Sequence, residues 1–236
     1  FSEAGATPRQ LQLRPGAVRL VLENLTHGRI LPMVEHMLPA FGELMKRRQP
    51  FLSAKQVLTN QVFRTLFKTG DELSVDQRLQ LTNLTVLFTD LKGSTELYER
   101  VGDLTAYDLV RAHFDVLGRT VAQHGGAVVK TIGDAVMATF PSPEKGFAAA
   151  LAMRDGMRDF NAGRQHEDLV VKIGLHEGPC LAVVLNDRLD YFGQTVNIAA
   201  RVQGLATDQS IFTTEPVVRH PAVADLVAAR GLGTQA

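Results

Sequence analysis

From residue 84 onward, apolar runs of strand character alternate with helical stretches, and two of those runs end on an aspartate at a small-residue turn. These are Asp90 in LTVLFTDLKGST (84–95) and Asp134 in AVVKTIGDAVMATF (127–140). Strands and helices interleaved at this spacing restrict the chain to helices layered on a sheet. Residues 84–88 are almost continuously apolar, as in a strand covered on both faces. Residues 128–132 and 135–140 read as a hairpin about Gly133-Asp134. Taken singly, each aspartate reads better as a turn former or helix N-cap. An aspartate ending a buried strand is costly unless its charge has a partner, however, and two in one domain suggest a shared divalent cation and magnesium-dependent phosphoryl chemistry.

The remaining elements follow from period and punctuation. Asp103 is a good N-cap for a helix in which Tyr107, Val110, Phe114, Leu117 and Val121 recur at helical spacing until Gly125-Gly126. Ser142-Pro143 opens another, running to about 161. Strands are expected at 169–175, 181–185 and 210–214, and a short helix at 222–229. The run YFGQTVNIAARV (191–202) reads as a helix entered through Gly193, with Asn197 and Arg201 at i and i+4 on one face. An amide beside a guanidinium can orient a sugar and neutralise a developing phosphate charge, although a solvated helix face explains the pair as well. Lys92-Gly93-Ser94-Thr95 starts a helix, where free backbone N–H groups could meet phosphate oxygens; alone it is an ordinary helix entry. The expected fold is an α+β sandwich with helices around a mainly antiparallel sheet.

Residues 1–80 differ in character, which divides the chain into an N-terminal segment, 1–80, and a second domain, 81–236. Alternation about Pro15-Gly16 predicts two strands within 11–22, and 30–34 follows a turn. Ser53 caps a helix expected to reach 67, with Leu58, Val62 and Leu66 on one stripe. No chemical constellation stands in this segment, which suits a regulatory module, part of a larger upstream domain, or a brace. Residues 1–80 carry 11 Lys+Arg against 7 Asp+Glu, and residues 81–236 carry 14 against 18. A net charge of −4 on the second domain argues against general nucleic-acid binding. Lys46, Arg47 and Arg48 are too few to define a basic site. No apolar stretch approaches the ~20 residues a membrane span needs. Cys180, the single cysteine, excludes an intrachain disulfide and suits a cytoplasmic location as a packed small residue. Phe1 in place of methionine suggests a fragment or a processed chain. His124 and His176 have no second ligand at metal spacing.

Together LFTDLKGST, VVKTIGDAVMATF, IGLHEGPC and LDYFGQTVNIAARV, in this order, resemble the catalytic domain of class III nucleotidyl cyclases over about 84–229. The resemblance implies a ferredoxin-like βααββαβ sandwich. It also implies two divalent cations, Mg²⁺ or Mn²⁺, held by Asp90, Asp134 and the backbone carbonyl of Leu91. Lys130 and Asp190 would select the base, Asn197 and Arg201 would stabilise the transition state, and Gly93, Ser94 and Thr95 would line the triphosphate. The implied reaction turns ATP into 3′,5′-cyclic AMP and pyrophosphate for signal transduction. The implied unit is a homodimer with shared sites, Asp90 and Asp134 of one chain facing Lys130, Asp190, Asn197 and Arg201 of the other. Donor and acceptor chemistry favours adenine: a lysine only donates and an ionised aspartate only accepts, matching adenine N1 and N6, whereas guanine reverses both. The alternatives are a guanylate cyclase, a non-catalytic nucleotide-binding signalling module, or a scaffold whose work lies in 1–80.

Overall fold

The computed structural model describes residues 25, 52–66, 79–164, 169–185, 188–207 and 210–235. The strands expected within 11–34 and the basic cluster at 46–48 lie outside these residues. Leu52–Ala236 belong to one unit.

Two short helices come first, α1 (Ala54–Leu58) and α2 (Gln61–Leu66). Ser53 caps α1 in a reciprocal box with Gln56, as expected from its position. The single helix expected to reach 67 is broken at Thr59-Asn60. The Thr59 hydroxyl donates back to the Lys55 carbonyl (2.9 Å), and the Asn60 side chain accepts from Phe63 N (3.0 Å), ending one helix and starting another. Of the stripe, Leu58 is buried while Val62 and Leu66 are exposed.

The sheet follows: β1 (Leu79–Leu91), then α3 (Ser94–Val101) and α4 (Asp103–Gln123), the hairpin β2 (Ala127–Ile132) and β3 (Ala135–Phe140), and α5 (Pro143–Asn161). After these come β4 (Val171–Leu185), β5 (Arg188–Phe192), α6 (Gln194–Leu205), β6 (Ile211–Thr213), α7 (Glu215–Val218) and α8 (Pro221–Ala229). Strand order is β2-β3-β1-β4-β5, all antiparallel, with β6 added parallel to β4. The two strands expected at 169–175 and 181–185 are one continuous strand. Pro179 is accommodated because the β1–β4 register shifts opposite it, between Leu81 and Leu84, where a ladder hydrogen bond is not required. Helix α4 begins with Asp103 in its first turn and Gly102 as its cap, one residue from expectation.

Side chains of β1 alternate between two cores. Leu87 and Leu91 face α3, α4 and α5, packing with Leu117, Val121, Phe140 and Met153. Leu84, Val86 and Phe88 face the other way, with Met137, Cys180, Leu189, Tyr191 and Ala199 of α6, and Leu58 of α1 joins them. Leu84, Val86 and Leu87 are fully buried, each worth roughly 1.5–3 kcal/mol. Helix α6 lies close against β4 because Gly174 carries no side chain: a β-carbon there would stand 2.2 Å from the Gln203 backbone nitrogen.

Candidate active site

Asp90 is the next-to-last residue of β1, half-buried and paired across the ladder with Lys172 of β4. Asp134 lies in the β2–β3 turn, after Gly133, whose φ of 61° is a left-handed conformation that favours glycine. The Val136 N–H donates to the Thr89 hydroxyl (3.1 Å), stitching the start of β3 to the end of β1 and bringing the two aspartates to one corner. Burial holds the Asp90 carboxyl above its usual range, and the Asp134 charge adds to this, while Lys172 and a Gln203 hydrogen bond pull it down. Asp134 Oδ2 is buried and has no hydrogen-bond partner. Two carboxylates that repel each other, one with an orphaned oxygen, fit a bridging cation. Among the described residues no group of three or more His, Cys, Asp or Glu gathers. A cation here would draw further ligands from the Leu91 carbonyl and water.

His113 of α4 is fully buried beside this corner, and neither ring nitrogen has a hydrogen-bond partner in good geometry. Burial lowers its pKa to about 4, outweighing the opposing pull of Asp134, so the imidazole is neutral. Gly93 enters α3 with φ 66° and no side-chain cap, and Ser94 and Thr95 open that helix. The Glu96 carboxylate folds back over this entry, 3.0 Å from where a β-carbon of Gly93 would stand.

A second cluster forms on the other core. Lys130 of β2 and Asp190 of β5 make an ion pair at 2.5 Å, the lysine partly exposed and the aspartate nearly buried. The other Asp190 oxygen accepts from Tyr191 N at 2.8 Å. The two strands lie at opposite edges of the sheet order, so the edges curl towards each other over the face that carries Leu58. Asn197 and Arg201 stand exposed, one turn apart on α6, a helix whose Thr195 hydroxyl is anchored to the Pro179 carbonyl (2.6 Å). His176 is half-buried against the Thr214 hydroxyl, and His124 Nδ1 donates to the Thr120 carbonyl (2.8 Å).

Sequence reasoning missed β5, α7 and three side chains at the second cluster: Gln61, Arg64 and Tyr191. Arg64 Nη2 donates to the Leu189 carbonyl (2.8 Å), 125 positions away, and no spacing rule reaches so far.

The domain is thus a mainly antiparallel sheet with helices, with a carboxylate pair where the end of β1 meets the β2–β3 turn and a lysine–aspartate pair across the sheet edges. The chain belongs to the family described as the adenylate and guanylate cyclase catalytic domain, which residues 77–224 match. Residues 1–65 match a family of unknown function, DUF5939. Over 196 residues the chain is 30% identical to an adenylate cyclase of Anabaena cylindrica, a match taking in 77% of this chain and 38% of that protein. The fold resembles the adenylyl cyclase CyaB from P. aeruginosa, with TM-score 0.55 and 24% identity over 64% of this chain and 84% of that one. It also resembles the monomeric guanylyl cyclase domain of the RhoGC fusion protein from Blastocladiella emersonii, with TM-score 0.56 and 20% identity over 65% and 89%. Among the described residues no helix is long and apolar enough to cross a membrane.

Proposed function

We propose that this chain is an adenylate cyclase that converts ATP to 3′,5′-cyclic AMP and pyrophosphate in the cytoplasm, as a homodimer whose sites draw on both chains. Residues 81–236 serve as its catalytic domain, and residues 1–80 as an N-terminal segment that is regulatory or part of a larger upstream domain. The observation that carries the choice of ATP is the Lys130–Asp190 pair, a donor beside an acceptor. Lys130 donates to adenine N1 and Asp190 accepts from the N6 amino group, while guanine would meet a donor with a donor and an acceptor with an acceptor.

Asp90, Asp134 and the Leu91 carbonyl are the groups that would hold two divalent cations, Mg²⁺ or Mn²⁺, which lower the pKa of the ribose 3′-hydroxyl and screen the triphosphate. The N–H groups at Gly93, Ser94 and Thr95 would meet phosphate oxygens at the start of α3, with the Glu96 carboxylate displaced from this entry. Asn197 orients the ribose, and Arg201 binds the α-phosphate as charge builds on it. The 3′-oxygen attacks the α-phosphorus, the bond to the bridging oxygen breaks, pyrophosphate leaves and the hydroxyl proton passes to solvent. Product formation is to be measured with ATP and GTP in parallel, with Mg²⁺ or Mn²⁺. Cyclic AMP in clear excess is expected. Equal use of GTP would sink the base assignment, and no product from either would sink the enzymatic reading.

A further inference from the structure

Backbone around Lys130 is irregular in a way that bears on where its side chain points. In the β2–β3 ladder Val128 pairs with Ala138 and Lys130 with Met137, so Val129 is an extra residue in a β-bulge. A bulge leaves ladder groups unpaired and re-aims the side chains beyond it. Helix α2 takes up those groups: the Gln61 side-chain oxygen accepts from Val128 N (2.7 Å), and Arg64 Nη2 reaches the Val129 carbonyl (3.4 Å). The same Arg64 nitrogen donates to the Leu189 carbonyl at 2.8 Å, and the guanidinium carbon lies 5.9 Å from the Tyr191 ring centroid. Val129 and Leu189 directly precede Lys130 and Asp190. No ladder joins β2 to β5, which lie at opposite ends of the strand order. One guanidinium nitrogen therefore sets how far apart the peptide groups leading into both base-selecting residues stand.

We propose that Arg64, supported by Gln61, is a positioning residue for base selection, bracing the carbonyls of Val129 and Leu189 so that Lys130 and Asp190 stand at the spacing of a purine edge. This rests on the reading of Lys130 and Asp190 as the base-selecting pair. Binding of the base has to part an ion pair that is closed at 2.5 Å. With the strands braced, side-chain rotation alone admits the base. Without the brace the edges drift apart, and the distinction between an acceptor-then-donor edge and its reverse weakens. Nη2 alone serves both carbonyls while the guanidinium lies over the Tyr191 ring, and a lysine ammonium, a compact and strongly hydrated point charge, does not reproduce that placement.

The test compares the full chain with Arg64→Ala, Arg64→Lys, Lys130→Ala and the Arg64→Ala/Lys130→Ala double variant. Kd for ATP and for GTP is read by calorimetry with divalent cation, and kcat and KM wherever turnover is measurable. Arg64→Ala is expected to lower the ATP-over-GTP preference about tenfold, through Kd and KM for ATP more than through kcat. In the Lys130→Ala background the same change should have no further effect, because the residue acts through the pair. A wild-type preference in Arg64→Ala, or an equal loss for both nucleotides, overturns the proposal. If Arg64→Ala does not fold, Arg64→Lys is read by the same ratio and the same criterion. A Lys130→Ala chain with unchanged preference refutes the base-pocket reading itself, and this role of Arg64 with it.

Discussion

Asp90 and Asp134 share a half-buried corner, where burial and then the Asp134 charge hold the Asp90 carboxyl above its ordinary 3.8. A carboxyl whose folded pKa is raised supports the fold below the unfolded value, and that support is lost as pH rises through the folded pKa. At neutral pH the Asp90 carboxylate, beside the Asp134 charge, therefore weighs against folding. Asp134→Asn is expected to raise the metal-free melting temperature by up to a few degrees and to cut turnover with saturating Mg²⁺ or Mn²⁺ on the order of 10²-fold or more. Calorimetry and product assays check both halves; unchanged turnover would remove Asp134 from the site. Cys180 offers an independent probe. Burial pushes its thiol up to about 11, so at pH 8 almost none is thiolate, and alkylation of the native chain should be far slower than of the chain in denaturant.

At the scale of elements, the seat of α6 governs two of the proposed catalytic side chains. A methyl group on Gly174 would meet the Gln203 backbone, which cannot yield as a flexible side-chain end can. Gly174→Ala should destabilise the fold by about 1–3 kcal/mol and depress kcat by displacing Asn197 and Arg201 together. Denaturant titration and kinetics measure this, and a variant with wild-type values of both would show that α6 tolerates being lifted. The hairpin was legible in sequence because Gly133-Asp134 interrupts two apolar runs, and α5 because Ser142-Pro143 is a strong helix start. Strand β5 was not. It is five residues long with Arg188 at its start and Asp190 at its centre, and it exists through pairing with the far half of β4. The residue types of the proposed site come from motifs, whereas the contact of Lys130 with Asp190 depends on the curl of the sheet, which no local pattern encodes.

For the whole molecule, the proposed dimer makes a prediction that no single chain can meet. Asp90→Ala and Asn197→Ala chains should each be nearly inactive, and mixing them should restore activity up to about a quarter of the wild-type level, since half the dimers are mixed and each holds one intact site. Failure of mixtures in which mixed dimers are proven would mean that each site is built within one chain. Helices α1 and α2 supply a further check, because they precede the residues matched to the cyclase family yet bond to its sheet. The Tyr191 hydroxyl donates to the Leu58 carbonyl at 3.2 Å, over the cluster that contains Cys180. A chain starting at Leu79 should therefore alkylate at Cys180 faster than the full chain, and equal rates would show that these helices do not shield it.

In the proposed base site, the closed Lys130–Asp190 contact competes with the incoming base. Whatever enters has to replace an existing ion pair with two hydrogen bonds, and a molecule that satisfies only one of the two groups leaves the other exposed to a worse environment than before. Selectivity then comes from a threshold rather than a slope. Small heterocycles presenting an acceptor next to an amino donor, as 2-aminopyridine does, should displace ATP, whereas hypoxanthine, with a protonated N1 and a carbonyl at position 6, should leave the contact shut. Competition binding with these two fragments measures the threshold without any turnover.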